Sequence, residues 1–273
     1  PDVFGENMIG SRGLNSMLGD LIDDDGVAAV VLRVNSPGGS GMASDDIWNQ
    51  IIALKEKKPV VVSMGDYAAS GGYYISMPAN KIVALPTTIT GSIGVFGGKM
   101  NMAGLFDKGG MTHFEFSRGA RSDLLSNVEN FDPDDRALFR HFLNTFYETF
   151  LNKAGEGRGM SRDEIHAVAQ GRVWTGIQAL EHGLIDELGG LNDAICIAAE
   201  LAGVSSYHID RLPKRKGFMD QLIDEMTNPE QMEIEIAGLS SQLDDQIHTL
   251  FVLQQVLHAG GVAAMLPGDL RIH

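Results

Sequence analysis

Three short apolar runs, separated by segments with helical periodicity, most constrain what this chain can fold into. The runs are VAAVVLRV at residues 27–34, PVVVSM at 59–64 and KIVAL at 81–85. Each is apolar on both of its faces, which is typical of a strand buried within a parallel sheet. Strands that alternate with helices form βαβ crossovers, so the order predicts an α/β fold whose parallel sheet is flanked by helices.

The segments around these runs predict helices. Apolar residues recur at spacings of three and four from Ser11 to Asp23, which indicates an amphipathic helix. Residues 43–58 place acids in the first turn and lysines in the last, as the helix dipole favours. A long helix is predicted from Pro133 to Ala154, and the capping boxes SRDE at 161–164 and TGIQ at 175–178 predict two further helix starts.

Three further features concern the periphery of the fold. Residues 111–117, MTHFEFS, alternate weakly and could form an edge strand. The single cysteine, Cys196, lies in an apolar helical pattern and is predicted to be a small core residue. The pattern becomes polar and irregular after Gly203. We therefore expect one domain over residues 1–203 and a mostly helical carboxy-terminal extension over residues 204–273.

The charge balance argues against one class of partner. The chain carries 36 acidic residues against 21 lysines and arginines, a formal net charge of -15. A protein that binds nucleic acid needs a basic face to neutralise phosphates, so no nucleic acid is expected as a partner. No segment approaches the ~20 apolar residues of a membrane-spanning helix, and PDVFGENM at the start has no features of a signal peptide.

Two glycine pairs, Gly38-Gly39 and Gly71-Gly72, each follow a predicted parallel strand. Ligands of open α/β sheets bind at this carboxyl edge of the strands. Glycine lets a substrate approach the backbone closely, and we expect Gly38 and Gly72 to contact the substrate in this way. Paired glycines also leave amide N–H groups free to point into a site. Such donors could hold a carbonyl oxygen as it becomes negatively charged.

Ser70 stands between alanines and glycines in GDYAASGGYYIS, residues 65–76. A serine with small neighbours at the start of a helix has the room that a nucleophile needs. The alternative is a tight connection in which the Ser70 hydroxyl caps the helix. The residues alone leave both interpretations open.

A nucleophilic serine also needs a base. Residues 68–72 do not match the G-x-S-x-G elbow of hydrolases. Four histidines fall within predicted strand or helix patterns and are expected in surface or hydrogen-bonding roles: His113, His141, His166 and His182. A lysine with a pKa lowered by burial is the alternative base. No residues have metal-ligand spacing, and GSIGVFGG at 91–98 lacks a Walker lysine and dinucleotide spacing, so no metal or cofactor is expected.

Three segments together closely resemble the signal peptide peptidase A family, also called protease IV. They are VVLRVNSPGGS at 30–40, the long stretch from PVVVSM to SIGVFG at 59–97, and AQGRVWTGIQALEHGLIDELGGLNDAI at 169–195. The resemblance runs from about Asp20 to Gly203. It implies a serine protease with a Ser/Lys dyad and the fold of the Clp protease and crotonase superfamily.

By this resemblance Ser70 is the nucleophile, and the backbone N–H groups of Gly39 and Gly71 form the oxyanion hole. Family members cleave remnant signal peptides, which implies peptide substrates and a place on the periplasmic side of the bacterial inner membrane. The resemblance also implies a homo-oligomeric ring and no metal or cofactor.

The chain departs from the family pattern at the general base. Short members carry this lysine in a segment that corresponds here to FSRGARSDLLS, where Arg118 and Arg121 stand but no lysine does. Arginine is effectively never deprotonated in a protein, so it cannot take the role. In double-length members the amino-terminal half supplies the lysine, and this chain resembles the carboxy-terminal half. Lys99 and Lys108 are in-chain candidates, but both patterns favour solvated surface lysines.

Two other functions compete with a peptidase. The same fold could be a scaffolding or binding module whose site is unproductive, because the lysine is absent from the corresponding segment. A crotonase-like acyl-thioester enzyme would share the paired-glycine oxyanion hole. No carboxylate stands in the glycine loops as an obvious acid or base for that chemistry.

Overall fold

The computed structural model describes residues 9–213, which contain a six-stranded sheet with helices on both faces. The strands are β1 Val30–Ser36, β2 Val60–Ala69, β3 Lys81–Ala84, β4 Ile89–Gly91, β5 Val173–Thr175 and β6 Glu187–Leu188. The helices are α1 Ser11–Asp23, α2 Gly41–Lys55, α3 Gly71–Ser76, α4 Ala103–Lys108, α5 Pro133–Arg158, α6 Arg162–Val168, α7 Gly176–Glu181 and α8 Leu191–Leu201. The predicted α/β class is confirmed.

Strand β2 is the centre of the sheet. It pairs in parallel with β1 along one edge, and along the other edge with β3 near its start and β4 near its end. Strand β6 extends the sheet in parallel beside β3, whereas β5 is antiparallel to β4. Because Ser36 pairs with Ala68 and Ala69 pairs with Gly91, the carboxyl ends of β1, β2 and β4 meet at one edge.

Both faces of β2 are buried over residues 60–65. The one polar side chain among them, Ser63, accepts a hydrogen bond from Arg33 at 2.7 Å. Val60, Val62 and Met64 face the main core, together with residues of α2, α3 and α5. Val61 faces the opposite side, where it packs with alanines of α8. Side chains alternate across a strand, so a strand that is buried on both faces requires a helical layer on each side.

The helix starts follow their capping residues. Helix α1 has the predicted bounds, and the capping boxes at Ser161 and Thr175 are both formed. Helix α2 begins earlier than predicted, at Gly41, because the Ser40 hydroxyl accepts a hydrogen bond from the Ala43 amide at 3.4 Å. The prediction that acids occupy its first turn is therefore wrong, and Asp45 lies in the second turn.

Two predictions about the periphery are wrong. Residues 111–117 form no strand, because alternation alone does not supply a partner strand, and none of the described strands pairs with them. Cys196 is exposed rather than buried. On α8 the buried positions are Ala194 and Ala198, and a residue midway between them points about 200° away from that stripe.

The predicted extension falls almost wholly outside the described residues. Residues 204–213 contain no helix, and residues 214–273 are not described. The chain divides into two units after His208, and the predicted boundary after Gly203 stays a prediction. Among the described helices, none has the length and apolar character needed to cross a membrane.

The packing of α5 against the loop after α3 gives a test of the fold. A methyl group on Gly157 would lie 2.2 Å from the Met77 carbonyl oxygen, whereas one on Gly13 of α1 would meet no atom within 4 Å. We expect Gly157→Ala to lower the free energy of unfolding by about 1–3 kcal/mol through overpacking. Gly13→Ala should raise it by about 0.5–1 kcal/mol, because alanine favours the helix.

Urea unfolding followed by circular dichroism measures both variants. An unchanged or raised unfolding midpoint for Gly157→Ala would contradict the close approach of α5 to Met77.

Candidate active site

Ser70 occupies a strained turn between β2 and α3. Its backbone has φ 52° and ψ -117°, a conformation that non-glycine residues rarely adopt. Two hydrogen bonds hold it there: the Ser70 amide donates to the Gly91 carbonyl at 2.9 Å, and the Tyr74 amide donates to the Ser70 carbonyl at 2.8 Å. Strain of this kind costs about 1–3 kcal/mol and concentrates at functional sites. A sharp strand-to-helix turn also presents the nucleophile of many serine hydrolases.

The Ser70 hydroxyl is unpaired within the described part of the chain. The side chain is partly exposed, and it forms no hydrogen bond that caps α3. Helix capping, the alternative explanation of this serine, is therefore wrong. The oxygen also makes no hydrogen bond to any other residue that the structure describes.

The two glycine turns touch each other. A methyl group on Gly38, where φ is +104°, would lie 2.7 Å from the Gly71 nitrogen and 2.8 Å from Ser70 Cβ. A methyl group on Gly71 would lie 3.1 Å from the Gly39 nitrogen and 2.6 Å from Ser44 Oγ. Contacts this short leave no room for a side chain, so glycine is required at both positions.

Two amide groups next to the Ser70 turn have no hydrogen-bond partner within residues 9–213. Neither Gly39 nor Gly71 donates its backbone N–H to another described residue, and neither glycine is buried. Gly39 also lies just before the amino terminus of the 15-residue helix α2, where the helix dipole is positive. The structure thus brings together the predicted nucleophile and both predicted oxyanion donors.

The other two predicted glycines have packing contacts. The Gly38 amide donates to Ser36 Oγ at 3.2 Å. Gly72 is buried against the end of β1, since a methyl group there would lie 2.5 Å from the Ser36 carbonyl oxygen. A substrate contact for Gly38 and Gly72 stays a prediction.

Residues that the sequence did not single out support this edge. The Asn35 side-chain oxygen accepts hydrogen bonds from the amides of Asp66 at 2.9 Å and Tyr67 at 3.3 Å, where the register of β1 and β2 is irregular. Ser92 follows β4 with a φ of 50°, and its amide donates to the Arg172 carbonyl at 2.7 Å. The sequence offers one signal of the role of Asn35, which stands directly before S-P-G-G. Asparagine side chains often form hydrogen bonds with nearby backbone groups.

No base for Ser70 is found among residues 9–213. No described histidine or lysine is hydrogen-bonded to it: His166 contacts the Tyr147 hydroxyl at 3.0 Å, and His182 packs edge-on against Trp174. Lys99 lies over the Phe131 ring, 4.5 Å from its centroid, and Lys108 ends α4.

The segment in which the resemblance places the lysine is occupied differently. Arg121 of this segment pairs with Asp132, Asp134 and Asp135 at the start of α5. Its bond to Asp135, together with the other two charges, raises the already high pKa of the guanidinium, although desolvation opposes the shift. Arg121 therefore links the amino terminus of α5 to its own segment through three ion pairs. Within the described part of the chain, no cluster of His, Cys, Asp and Glu could hold a metal ion.

Comparison with known proteins points to one family. The profile of Peptidase family S49 matches residues 52–205. The chain is similar to the chloroplastic serine protease SPPA of Arabidopsis thaliana, with 46% identity over 64% of this chain and 26% of the relative. It is 39% identical to Protease 4 of Salmonella typhi over 82% of this chain and 37% of the relative. It is 32% identical to a putative protease of Synechocystis over 91% of this chain and 86% of the relative.

The first two of these relatives are much longer than the matched region. The chain spans about a quarter of the Arabidopsis protein and somewhat over a third of the Salmonella protein.

The contact between the two glycine turns can be tested by stability alone. Gly38→Ala places a side chain at a positive φ and against the Ser70 turn, so we expect a loss of about 1–3 kcal/mol. At Gly39 a methyl group meets no atom within 4 Å, so Gly39→Ala should change stability by less than about 0.5 kcal/mol. Chemical denaturation of the two variants decides, and equal unfolding midpoints would mean that the turns do not touch.

Proposed function

Because the chain belongs to peptidase family S49, as its resemblance to signal peptide peptidase A predicted, we propose that it hydrolyses peptides with Ser70 as the nucleophile. The fold is accordingly of the Clp protease and crotonase type, and a serine peptidase is the confirmed assignment at the level of the family. The observation that carries the proposal for this chain is the Ser70 hydroxyl on a strained turn beside the Gly39 and Gly71 amides, all three without a hydrogen-bond partner among the described residues.

The proposed reaction proceeds through an acyl-enzyme. Ser70 Oγ attacks the peptide carbonyl carbon while its proton passes to a neutral lysine amine. The carbonyl oxygen becomes an oxyanion that accepts hydrogen bonds from the Gly39 and Gly71 amides, each worth about 3 kcal/mol in the transition state. The tetrahedral intermediate collapses as the C–N bond breaks, and the lysine returns the proton to the leaving amine. Water then hydrolyses the ester by the same steps.

We assign the base to a lysine outside the described residues, supplied by an amino-terminal half of the same protein. Two observations support this assignment. No lysine within residues 9–213 is hydrogen-bonded to Ser70. In the segment where the family carries its lysine, Arg121 is ion-paired with three aspartates. In this arrangement the present chain corresponds to the carboxy-terminal half of a double-length family member.

The proposed substrates are cleaved signal peptides, degraded by a ring of identical subunits on the periplasmic side of the inner membrane. The resemblance to the family supports this assignment. Large exposed apolar side chains also support an interaction with apolar partners, since Phe96 is 98% exposed and Phe116 is 99% exposed. Large apolar side chains that remain exposed to water occur at sites of interaction with proteins and membranes.

A scaffolding module is the second candidate, and one observation favours it: no base contacts Ser70 among the described residues. A module of this kind would keep the fold and the glycine turns without turnover. The two experiments below separate it from the peptidase.

The first experiment labels the nucleophile. We expect a fluorophosphonate probe to label the wild-type chain when an amino-terminal half with its lysine is present, and Ser70→Ala to abolish the labelling. Ser205→Ala removes an exposed hydroxyl outside the site and should label like wild type. Intact-protein mass spectrometry measures the adduct, and persistent labelling of Ser70→Ala would exclude Ser70 as the nucleophile.

The second experiment tests the source of the base. Hydrolysis of an unstructured peptide should be at least about a hundredfold faster with the amino-terminal half than without it, because general-base catalysis contributes on this scale. A half whose lysine is replaced by methionine is the matched control and should restore no activity. Equal rates with and without the added half would place the base within this chain, and no turnover in any mixture would favour the scaffold.

A further inference from the structure

We propose that Asp45 is a positioning residue of this site, which holds the Gly39 amide and the Ser70 turn at a fixed separation through Tyr74 and Lys153. The inference rests on the proposed function. It concerns three side chains that the proposed reaction does not use, one each from α2, α3 and α5.

The three side chains form one connected cluster. The Tyr74 hydroxyl donates to Asp45 Oδ1 at 2.5 Å, and Lys153 Nζ donates to the same oxygen. Lys153 Nζ also lies 3.7 Å from the centroid of the Trp48 ring, in a cation–π contact. The Asp45 carboxylate thus joins α2 to α3 and to α5 at a single atom.

Tyr74 connects the cluster to the nucleophile, Ser70. Tyr74 lies one turn after Ser70 in α3, and its amide donates to the Ser70 carbonyl at 2.8 Å. Helix α3 has only six residues, so few internal hydrogen bonds hold it in place. A short helix of this kind depends on tertiary contacts for its position. Tyr74, 1% exposed, supplies such contacts together with Tyr73, whose hydroxyl donates to the Leu184 carbonyl at 2.9 Å.

Asp45 connects the cluster to the proposed oxyanion donors through helix α2. Asp45 lies in the second turn of α2, the helix that begins directly after the Gly39-Ser40 turn. Its neighbour Ser44 lies beneath Gly71, where a methyl group would come within 2.6 Å of Ser44 Oγ. A displacement of α2 along α3 would therefore change the separation of the Gly39 and Gly71 amides.

Helix α5 packs on the α2–α3 pair and covers Tyr74, whereas the Asp45 side chain remains 37% exposed. The Phe150 ring centroid is 4.7 Å from that of Tyr74, and the Phe146 ring stacks on Tyr74 at 6.0 Å. A methyl group on Gly41 would lie 2.4 Å from Phe146 Cζ, so α5 also touches the first residue of α2. The Lys153 side chain is only 18% exposed, and a charge so poorly hydrated needs a charged partner.

The protonation states suit a permanent link. Burial, reinforced by the hydrogen bond to Asp45, raises the pKa of Tyr74 far above its ordinary value, so the phenol keeps its proton and donates. Partial burial works to raise the pKa of Asp45, but the hydrogen bonds from Lys153 and Tyr74 outweigh it and lower that pKa. Asp45 therefore remains an acceptor at neutral pH.

The central test is Tyr74→Phe, which keeps the ring and removes only the hydroxyl. Measured with the amino-terminal half present, kcat should fall about tenfold or more with KM within about twofold, because small misplacements at a reacting centre are costly. Tyr147→Phe is the matched control. It removes a hydroxyl bonded to His166 from the middle of α5, outside this cluster, and should leave kcat within about twofold of wild type.

Coupling distinguishes a shared link from two separate defects. Asp45→Ala should lower kcat at least as much as Tyr74→Phe, because it removes the acceptor of both Tyr74 and Lys153. Adding Tyr74→Phe to Asp45→Ala should cause no further loss, because the bond between the two side chains is already broken. Asp45→Asn keeps an acceptor for Tyr74 but has no charge to pair with Lys153, so it should recover only part of the activity lost in Asp45→Ala. Additive losses in the double variant would overturn the proposal.

Hydrogen exchange gives a readout that does not depend on turnover. In Tyr74→Phe, amides in segments 38–41 and 70–76 should exchange at least about fivefold faster, with exchange in α8 unchanged. Faster exchange in α8 as well would indicate a general loss of stability, and wild-type exchange everywhere would indicate no positioning role. Either result overturns the inference.

The two proposals fail in different ways. A wild-type chain that never hydrolyses peptides would refute the proposed function, while the exchange pattern would still decide whether Asp45 positions the turns. An active enzyme whose Tyr74→Phe variant has normal kcat and exchange would refute the positioning role alone.

Discussion

The backbone contact between the turn after β1 and the turn after β2 is the constraint on which the rest of the site depends. The Gly38 position lies so close to Ser70 and Gly71 that one added methyl group would overlap both. This contact is possible because β1 and β2 are parallel neighbours whose carboxyl ends meet at one edge of the sheet. It places two amides and a hydroxyl close together, none of them with a hydrogen-bond partner in the part of the chain that the structure describes. Such an arrangement is suited to stabilising an oxyanion.

Three helices keep that contact in place. Helix α2 begins after the turn that follows β1, and α3 begins after the turn that follows β2. Helix α5 packs aromatic side chains against Tyr74 of α3 and Gly41 of α2. The strained backbone of Ser70 persists because hydrogen bonds to Gly91 and Tyr74 hold it on either side. The Asp45 cluster adds a charged link among the three helices, so the geometry of the reacting groups is coupled to packing well behind them.

Much of the fold could be predicted because periodicity and capping are local properties. The bounds of α1, the three apolar strands and the capping boxes at Ser161 and Thr175 follow from residues a few positions apart. Cys196 was misplaced because an evenly apolar helix does not show which of its faces is covered. Residues 111–117 alternate like a strand, but a strand also needs a partner, and local pattern carries no information about one.

The candidate site likewise combines features that the sequence predicts with features that depend on tertiary packing. By itself the sequence determined that Ser70 lies among small residues after a buried strand, that paired glycines follow two such strands, and that the segment expected to carry the base has arginines. Only the tertiary structure decided that the Ser70 hydroxyl has no partner within residues 9–213 and that the two turns touch. It also decided that Asp45 accepts from Tyr74 and Lys153 rather than complementing the dipole in the first turn of α2. The reason is physical: local chemistry is set by neighbours along the chain, but a hydrogen bond between separate helices exists only once packing brings its donor and acceptor together.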